Sequence, residues 1–561
     1  MADVLPGKNK IKNPQFNTIA LAAIFLFGLI LSLLLFKGMS FYGDDASYVQ
    51  YIPSILSGTF SENINIFSIR LLMDIPLAIS VGIFGYTDLG AGAWALISYL
   101  VIIPMIYLIG KELGNEKGGL IAAFLFSFYP LIIHFNSSPD PMLPMALFLT
   151  ASLLFFVKGT KKSDRLNYWI AGFLAFLATL ANPIAYLYLL FYAFYFIAGS
   201  AYLSIKRHNP TADLNMLYLL LGVATAIAVL GYVNMAIANG NPFLELNMTN
   251  SYYSAAGGPD QIFYTNPSLT YYINGYFPYG IIPFITNNTG VATNLHGAIQ
   301  RLFSINQLWA NDVGFFGYIA VILGLYLLAE GRRESRFVLL LAAFLVGYME
   351  FGSMSITHYF PIYKLMRFTV VAAVPILLVM GFALSEFIWG KRHISDLTKN
   401  QRIGIATGII IFLLATSLPI NYFYYAYNHN TMAFIKQTAH SLSAANLDGA
   451  SVFATAESPG YLAYYLGFPQ NTPIFLYDNG AYGGIFLPTC ASIPHNSYVI
   501  IPSPEGITAI NSYNLWTINE TWAYDPSECN LTLYANTSNI PGITNNSLYN
   551  SAYAGNIYYN K

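Results

Sequence analysis

The sequence predicts an α-helical polytopic membrane protein of about eleven transmembrane helices, with a small C-terminal α/β domain outside the membrane. Three observations predict it. Of 561 residues, 56% are hydrophobic and only 9% are charged, with a mean hydropathy of +0.51, whereas a soluble domain carries about 25% charged residues. Uncharged apolar runs recur near the length of about 20 residues that a bilayer crossing requires. Short basic clusters fall in every second connection between those runs, the bias that orients membrane helices. The net charge of −1 decides little, because the distribution of charge matters more than its sum. No Gly/Ser linker, low-complexity tract or internal repeat interrupts the pattern.

The first apolar run, Thr18–Phe36, is followed by no small-x-small cleavage site, so it reads as a retained first span. Lys8, Lys10 and Lys12 precede it and place the N-terminus in the cytoplasm. Further spans are expected near 89–110, 119–134, 141–157, 167–181, 184–203, 214–235, 313–329, 337–353, 368–389 and 403–423. Basic residues then mark the cytoplasmic connections: Lys111 and Lys117; Lys158, Lys161, Lys162 and Arg165; Lys206 and Arg207; Arg332, Arg333 and Arg336; Lys391, Arg392, Lys399 and Arg402. With the N-terminal three they hold 18 of the 25 basic residues. Spans five and six meet at Asn182-Pro183. Residues 68–85 are also apolar and read as helix lying in the interface, because one more span there would invert everything downstream.

Residues 1–423 therefore form the membrane domain, with external loops 37–88 and 236–312, and 424–561 form an external tail. Seven Asn-x-Ser/Thr sequons, at Asn136, Asn247, Asn287, Asn519, Asn530, Asn536 and Asn545, all fall on the external side. The two cysteines, Cys490 and Cys529, lie in the tail, where an oxidising compartment favours one disulfide between them. In the tail SVFATA (451–456), PIFLY (473–477) and SYVIIP (497–502) have the composition of short buried strands. SPGYLAYYLG (458–467) reads as a helix with Ser458 as N-cap and Pro459 at its first position. Strand, helix and strand at this spacing indicate a small α/β domain, read as a stabilising or acceptor-binding cap.

Charges on the external side need a reason. Asp44 and Asp45 lie side by side in FYGDDASYVQYI (41–52), and Asp140 lies in the tight loop FNSSPDPMLP (135–144). Adjacent aspartates repel unless a cation or a shared proton relieves them. Asp45 also suits the N-terminus of a helix over 46–56, and Asp140 suits the cap of the fourth span. Seven basic residues remain outside: Lys37, Arg70, Arg301, Lys364, Arg367, Lys436 and Lys561. Lys37 reads as an interfacial side chain that snorkels or meets a carboxylate. Arg70, Lys364 and Arg367 are candidate ligands of a lipid-linked phosphate, since Arg offers a planar fork and Lys a point charge. Glu350, near the outer end of span nine, is either a site residue or a partner of Arg367. Tyr42, His134 and His358 lie at the same level as candidate substrate contacts.

These pieces resemble a known family in their order and spacing. An acidic pair opens the first external loop (GDDASYVQYIPSILSGTF, 43–60), and an interfacial apolar stretch ends in Phe-Gly (IPLAISVGIFG, 75–85). A Gly-rich cytoplasmic turn (GKELGNEKGGLIAAFLF, 110–126) and the Pro-Asp loop (SSPDPMLPMALF, 137–148) follow, and HYFPIYKLMRFTVVAAVPILLVMG (358–381) comes later. The chain resembles the GT-C glycosyltransferases that use lipid-linked donors, and within them the protein O-mannosyltransferase and aminoarabinose-transferase-like group. The resemblance covers roughly residues 35–160, extends to 200–420 as architecture, and leaves the tail unplaced.

The resemblance implies transfer of a sugar, mannose or another hexose or pentose, from a polyprenyl phosphate to an extracytoplasmic protein, lipid or glycan hydroxyl. In the mannosyltransferases the first member of an Asp-Glu pair is the base; that position is Asp44 here, and Asp45 replaces the Glu. Asp45 and Asp140 would position the acceptor or, with Asp44, hold a divalent cation such as Mg²⁺ or Mn²⁺. The Lys-Pro-Pro of the aminoarabinose relatives is missing, with Arg70 near its place, and the family's Lys-Pro or Lys-Gly after span five is Asn182-Pro183. An oligosaccharyltransferase is the nearest alternative, but its Trp-Trp-Asp-Tyr-Gly signature needs adjacent tryptophans, and none of the six here are adjacent. A lipid or glycan transporter is the alternative from another class, and it would place ionisable residues at mid-bilayer rather than at one face. A non-catalytic glycan-binding subunit is the third.

Overall fold

A computed structural model describes residues 14–39, 45–59, 69–162, 164–207, 214–237, 247–248, 315–330, 333–351, 366–390, 397–445, 447–454, 458–469, 471–476, 493–502, 531–536 and 555–560. Over the described residues, the apolar runs expected to cross the membrane are mostly helical. In chain order the helices are α1 (Pro14–Leu34), α2 (Asp45–Val49), α3 (Ile52–Ser57), α4 (Leu71–Phe84), α5 (Asp88–Glu112), α6 (Glu116–Phe128), α7 (Pro130–Phe135), α8 (Met142–Lys162), α9 (Arg165–Thr179), α10 (Tyr186–Arg207) and α11 (Leu214–Ile237). They continue with α12 (Phe316–Glu330), α13 (Arg333–Phe351), α14 (Val370–Trp389) and α15 (Lys399–Ser443).

Seven segments among the described residues are long and apolar enough to cross a membrane; they lie in α1, α5, α8, α10 with the turn before it, α11, α14 with the turn before it, and α15. α4, α12 and α13 contribute shorter apolar stretches. The expected third span is broken in two. Pro130 opens α7 and Tyr129 before it is extended, at φ −62 and ψ 122, because a proline pushes its predecessor out of the helical region. The helix expected over 46–56 is likewise split into α2 and α3, since Pro53 has no N–H to carry the ladder on.

α14 is apolar on all sides and almost wholly buried, packed against α6, α8, α12, α13 and α15. α1, α11 and α15 are the most exposed along their spans, as helices on the lipid-facing rim are. α15 does not stop at the end of its apolar segment. It runs 45 residues, past 423 to Ser443, so the expected domain boundary falls inside one helix.

The C-terminal domain begins where α15 ends. Its strands are β1 (Ser451–Ala454), β2 (Ile474–Leu476), β3 (Ser497–Pro502), β4 (Thr532–Asn536) and β5 (Gly555–Asn560), with α16 (Ser458–Tyr465) between the first two. The sheet order is β2-β1-β3-β5-β4. β1 pairs in parallel with both β2 and β3, and a parallel pair needs a crossover, which α16 supplies between β1 and β2. β5 runs antiparallel to β3 and to β4. One hydrophobic core fills the helical bundle. A second joins Tyr48, Val49, Met73 and Leu77 of the first loop to Ile435, Val452, Tyr461 and Tyr498 of the C-terminal half.

Candidate active site

The first external loop reaches the site through two short helices. Asp45 opens α2 and is buried, with Tyr48 one turn further along the same helix. The Arg70 guanidinium lies 5.3 Å from the centre of the Tyr48 ring. Arg70 also starts α4: its carbonyl accepts hydrogen bonds from the backbone N–H groups of Met73 (2.7 Å) and Asp74 (2.9 Å). The basic end of this loop thus lies against the short helix that opens at its acidic end.

α4 is clamped from several sides. Trp94 Nε1 donates to the Leu72 carbonyl at 3.1 Å, and Leu72 N–H donates to the Leu180 carbonyl at 3.3 Å. Ser80 Oγ donates to the Gly90 carbonyl at 2.7 Å. Ile79, Ile83 and Phe84 face outward, as a helix lying in the interface requires. Asp74 sits one turn from Arg70 and is fully buried, with neither carboxylate oxygen hydrogen-bonded. Burial pushes its carboxyl well above the usual carboxylate range, and the nearby Arg70 charge pulls the other way. Asp74 escaped the sequence reading, although a lone acid in the apolar run LLMDIPLAIS is the signal that finds it.

The Pro-Asp loop is built from the end of α1. Asn136 Nδ2 donates to Ser32 Oγ at 2.7 Å, and Lys37 N–H donates to Ser137 Oγ at 3.1 Å. Asn136 is fully buried, so its amide serves the packing of this loop. Lys37 does not snorkel. It is buried, and its ammonium donates to the His134 carbonyl. α1 ends at Leu34, and three residues on the Lys37 ammonium reaches a backbone acceptor. The His134 ring packs edge-on against Phe135 at 4.6 Å. Asp140 is buried, and its Oδ1 accepts the Met142 N–H at 2.9 Å, which caps α8.

Both loops rest on the first turns of α5. A Cβ on Gly92 would lie 2.3 Å from the Ser137 carbonyl oxygen and 2.7 Å from Phe36 Cζ. Gly38, at φ +74, sits where a Cβ would lie 2.4 Å from Asp88 Oδ1. Only glycine allows the left-handed turn and the close approach here. The start of the first loop and the Pro-Asp loop therefore converge on residues 88–92 of α5.

Arg367 lies in the single turn Met366–Thr369 that leads into α14, its guanidinium 5.5 Å from the ring centre of Phe368. Tyr42, Asp44, His358, Lys364, Arg301, Cys490, Cys529 and the side chain of Glu350 lie outside the described residues. Among the described residues no three His, Cys, Asp or Glu side chains gather as a metal site. Of the three aspartates considered for a cation, Asp140 spends one oxygen on the α8 cap.

Residues 72–235, from α4 through α11, match the model of the family described as dolichyl-phosphate-mannose-protein mannosyltransferase. The chain is similar in fold to ArnT from Cupriavidus metallidurans bound to undecaprenyl phosphate, with a TM-score of 0.53 and 10% identity, covering 91% of this chain and 97% of that one. For the apo state of the same protein the TM-score is 0.52 at 9% identity, over 98% of each chain. The Archaeoglobus fulgidus oligosaccharyltransferase in its apo form aligns at a TM-score of 0.49 and 15% identity, over 82% of this chain. This chain spans 64% of that enzyme's length. No curated protein matches the sequence significantly. The helices and the alignment over nearly the whole chain show a polytopic membrane protein similar in fold to ArnT. The segment from α4 to α11 is similar to the mannosyltransferases.

Proposed function

We propose that this protein transfers a sugar from a polyprenyl-phosphate donor to an acceptor hydroxyl at the extracytoplasmic face, with inversion. The observation that carries the reading is the Arg70 guanidinium beside the ring of Tyr48, on the short helix that the buried Asp45 opens one residue beyond Asp44, where the first loop shares a core with the C-terminal domain. A base, an anion-binding cation and a lateral lipid approach are what this chemistry needs. Asp44 takes the proton of the acceptor hydroxyl as its oxygen bonds to the anomeric carbon. The bond from that carbon to the phosphate oxygen breaks, and its electron pair leaves with the polyprenyl phosphate. Arg70, with Lys364 and Arg367, stabilises the departing anion. Asp45 orients the acceptor. Asp140 organises the neighbouring loop through its cap, with its carboxylate toward the acceptor. The polyprenyl chain enters beside the outward face of α4.

The test is transfer or hydrolysis by the purified protein across a panel of polyprenyl-phosphate sugars, with and without chelator. Asp44→Asn is expected to lower turnover by about 10²–10⁴-fold while the donor lipid still binds. Full turnover in that variant would remove Asp44 from the mechanism. An inactive wild type across hexose and pentose donors would remove the reading itself.

A further inference from the structure

The stretch between Met39 and Asp45 carries Asp44, and both of its described ends are gripped by the C-terminal half of the chain. On the near side, Gly38 lies against the Asp88 carboxylate, and the Met39 carbonyl accepts from Asn428 Nδ2 of α15 at 2.8 Å. On the far side, Ala46 lies against Gly460 of α16, where a Cβ would come within 2.8 Å of the Ala46 Cβ.

Asp88 joins these two sides. Lys436 Nζ of α15 donates to Asp88 Oδ2 at 2.7 Å, and Tyr465 OH of α16 donates to Asp88 Oδ1 at 2.6 Å. Tyr464 OH donates to the Thr87 carbonyl at 2.7 Å, beside it. One carboxylate at the head of α5 thus takes a hydrogen bond on each oxygen from a different C-terminal element, and its side chain forms the wall behind Gly38. A plain strut between two domains would need only the ion pair. Here the same carboxylate touches the loop itself.

We propose that Asp88, Lys436 and Tyr465 form a latch through which the C-terminal domain sets the position of the first-loop carboxylates. They are positioning residues: they act through the loop and touch no reacting atom. The domain is then more than a cover, because it holds the described residues on both sides of Asp44. This rests on the glycosyl-transfer reading, in which Asp44 is the base.

The experiment compares wild type with Tyr465→Phe, which keeps the ring and loses the hydroxyl, and with Lys436→Met. Hydrogen exchange is read at residues 38–50 and, as a control, at β1 and β3. Both variants should exchange faster at 38–50 while the sheet stays protected. Where a donor is turned over, kcat should fall about 10–100-fold, the scale of a misplaced catalytic group, with the KM for donor within about twofold. Asn471→Ala, which removes an exposed bond to Asp448 in the same domain, should change neither. Unchanged exchange at 38–50 in both latch variants overturns the proposal, as does faster exchange there with unchanged kcat. A wild type inactive on every donor overturns the glycosyl-transfer reading alone, and the exchange rates still decide whether the latch orders the loop.

Discussion

Asp140 separates structure from chemistry most sharply at the scale of single residues. Its Oδ1 caps α8 through the Met142 N–H. Asn caps a helix about as well as Asp, whereas Ala costs about 1 kcal/mol. If the carboxylate serves only as a cap, Asp140→Asn should keep both melting temperature and turnover. With the carboxylate acting on the acceptor, Asp140→Asn should keep its melting temperature and lose turnover. Asp74 gives a second test. Its carboxyl is raised by burial in the folded protein, so the folded state holds a proton that the unfolded chain releases above about pH 4. Stability is therefore lost as pH rises from that value toward the folded-state pKa. Asp74→Asn should melt higher than wild type at neutral pH, and the gap should close on acidification below about pH 4. A gap that is constant with pH would mean that Asp74 is ionised in the folded protein.

Elements meet here by close backbone approach. Gly92 of α5 lets the Ser137 carbonyl approach to a distance that no side chain permits. Gly92→Val would push the Pro-Asp loop away from α5, at a cost of about 1–3 kcal/mol typical of overpacking. The melting temperature should fall, and donor turnover should fall with it, because the same loop carries Asp140 and Ser137, whose hydroxyl accepts the Lys37 N–H. Turnover unchanged in a destabilised variant would place the Pro-Asp loop outside the site. The helices themselves were legible from their runs of apolar residues. Their breaks follow from the missing N–H of Pro53 and from the extended conformation that Pro130 imposes on Tyr129, and the sequence carries both prolines plainly.

On the scale of the whole molecule, the first loop and the C-terminal domain share one core. Tyr48, Met73 and Leu77 pack in the same cluster as Val452, Tyr461 and Tyr498. Tyr461 is fully buried, and truncating a buried aromatic to Ala costs about 3–5 kcal/mol. Tyr461→Ala should therefore raise hydrogen exchange in α2–α4 together with that in β1. Exchange rising in the sheet alone would mean two independent folding units. The α/β character of the tail was readable from three strand-like runs and one capped helix. β4 and β5, which carry weaker patterns in an Asn- and Tyr-rich stretch, were not.

The sequence by itself determined the membrane class, the helical runs, the likeness to lipid-dependent glycosyltransferases and the candidate loops. Each of these rests on local composition, on spacing, or on a linear order of motifs. Only the tertiary structure decided that Lys37 is buried against His134 and Asn136 against Ser32, that Arg70 lies over Tyr48, and that Asp88 is bound by Lys436 and Tyr465 from more than three hundred residues away. A charged side chain's partner depends on which chain segments pack together, and no local pattern around Asp88 or Lys436 encodes that choice.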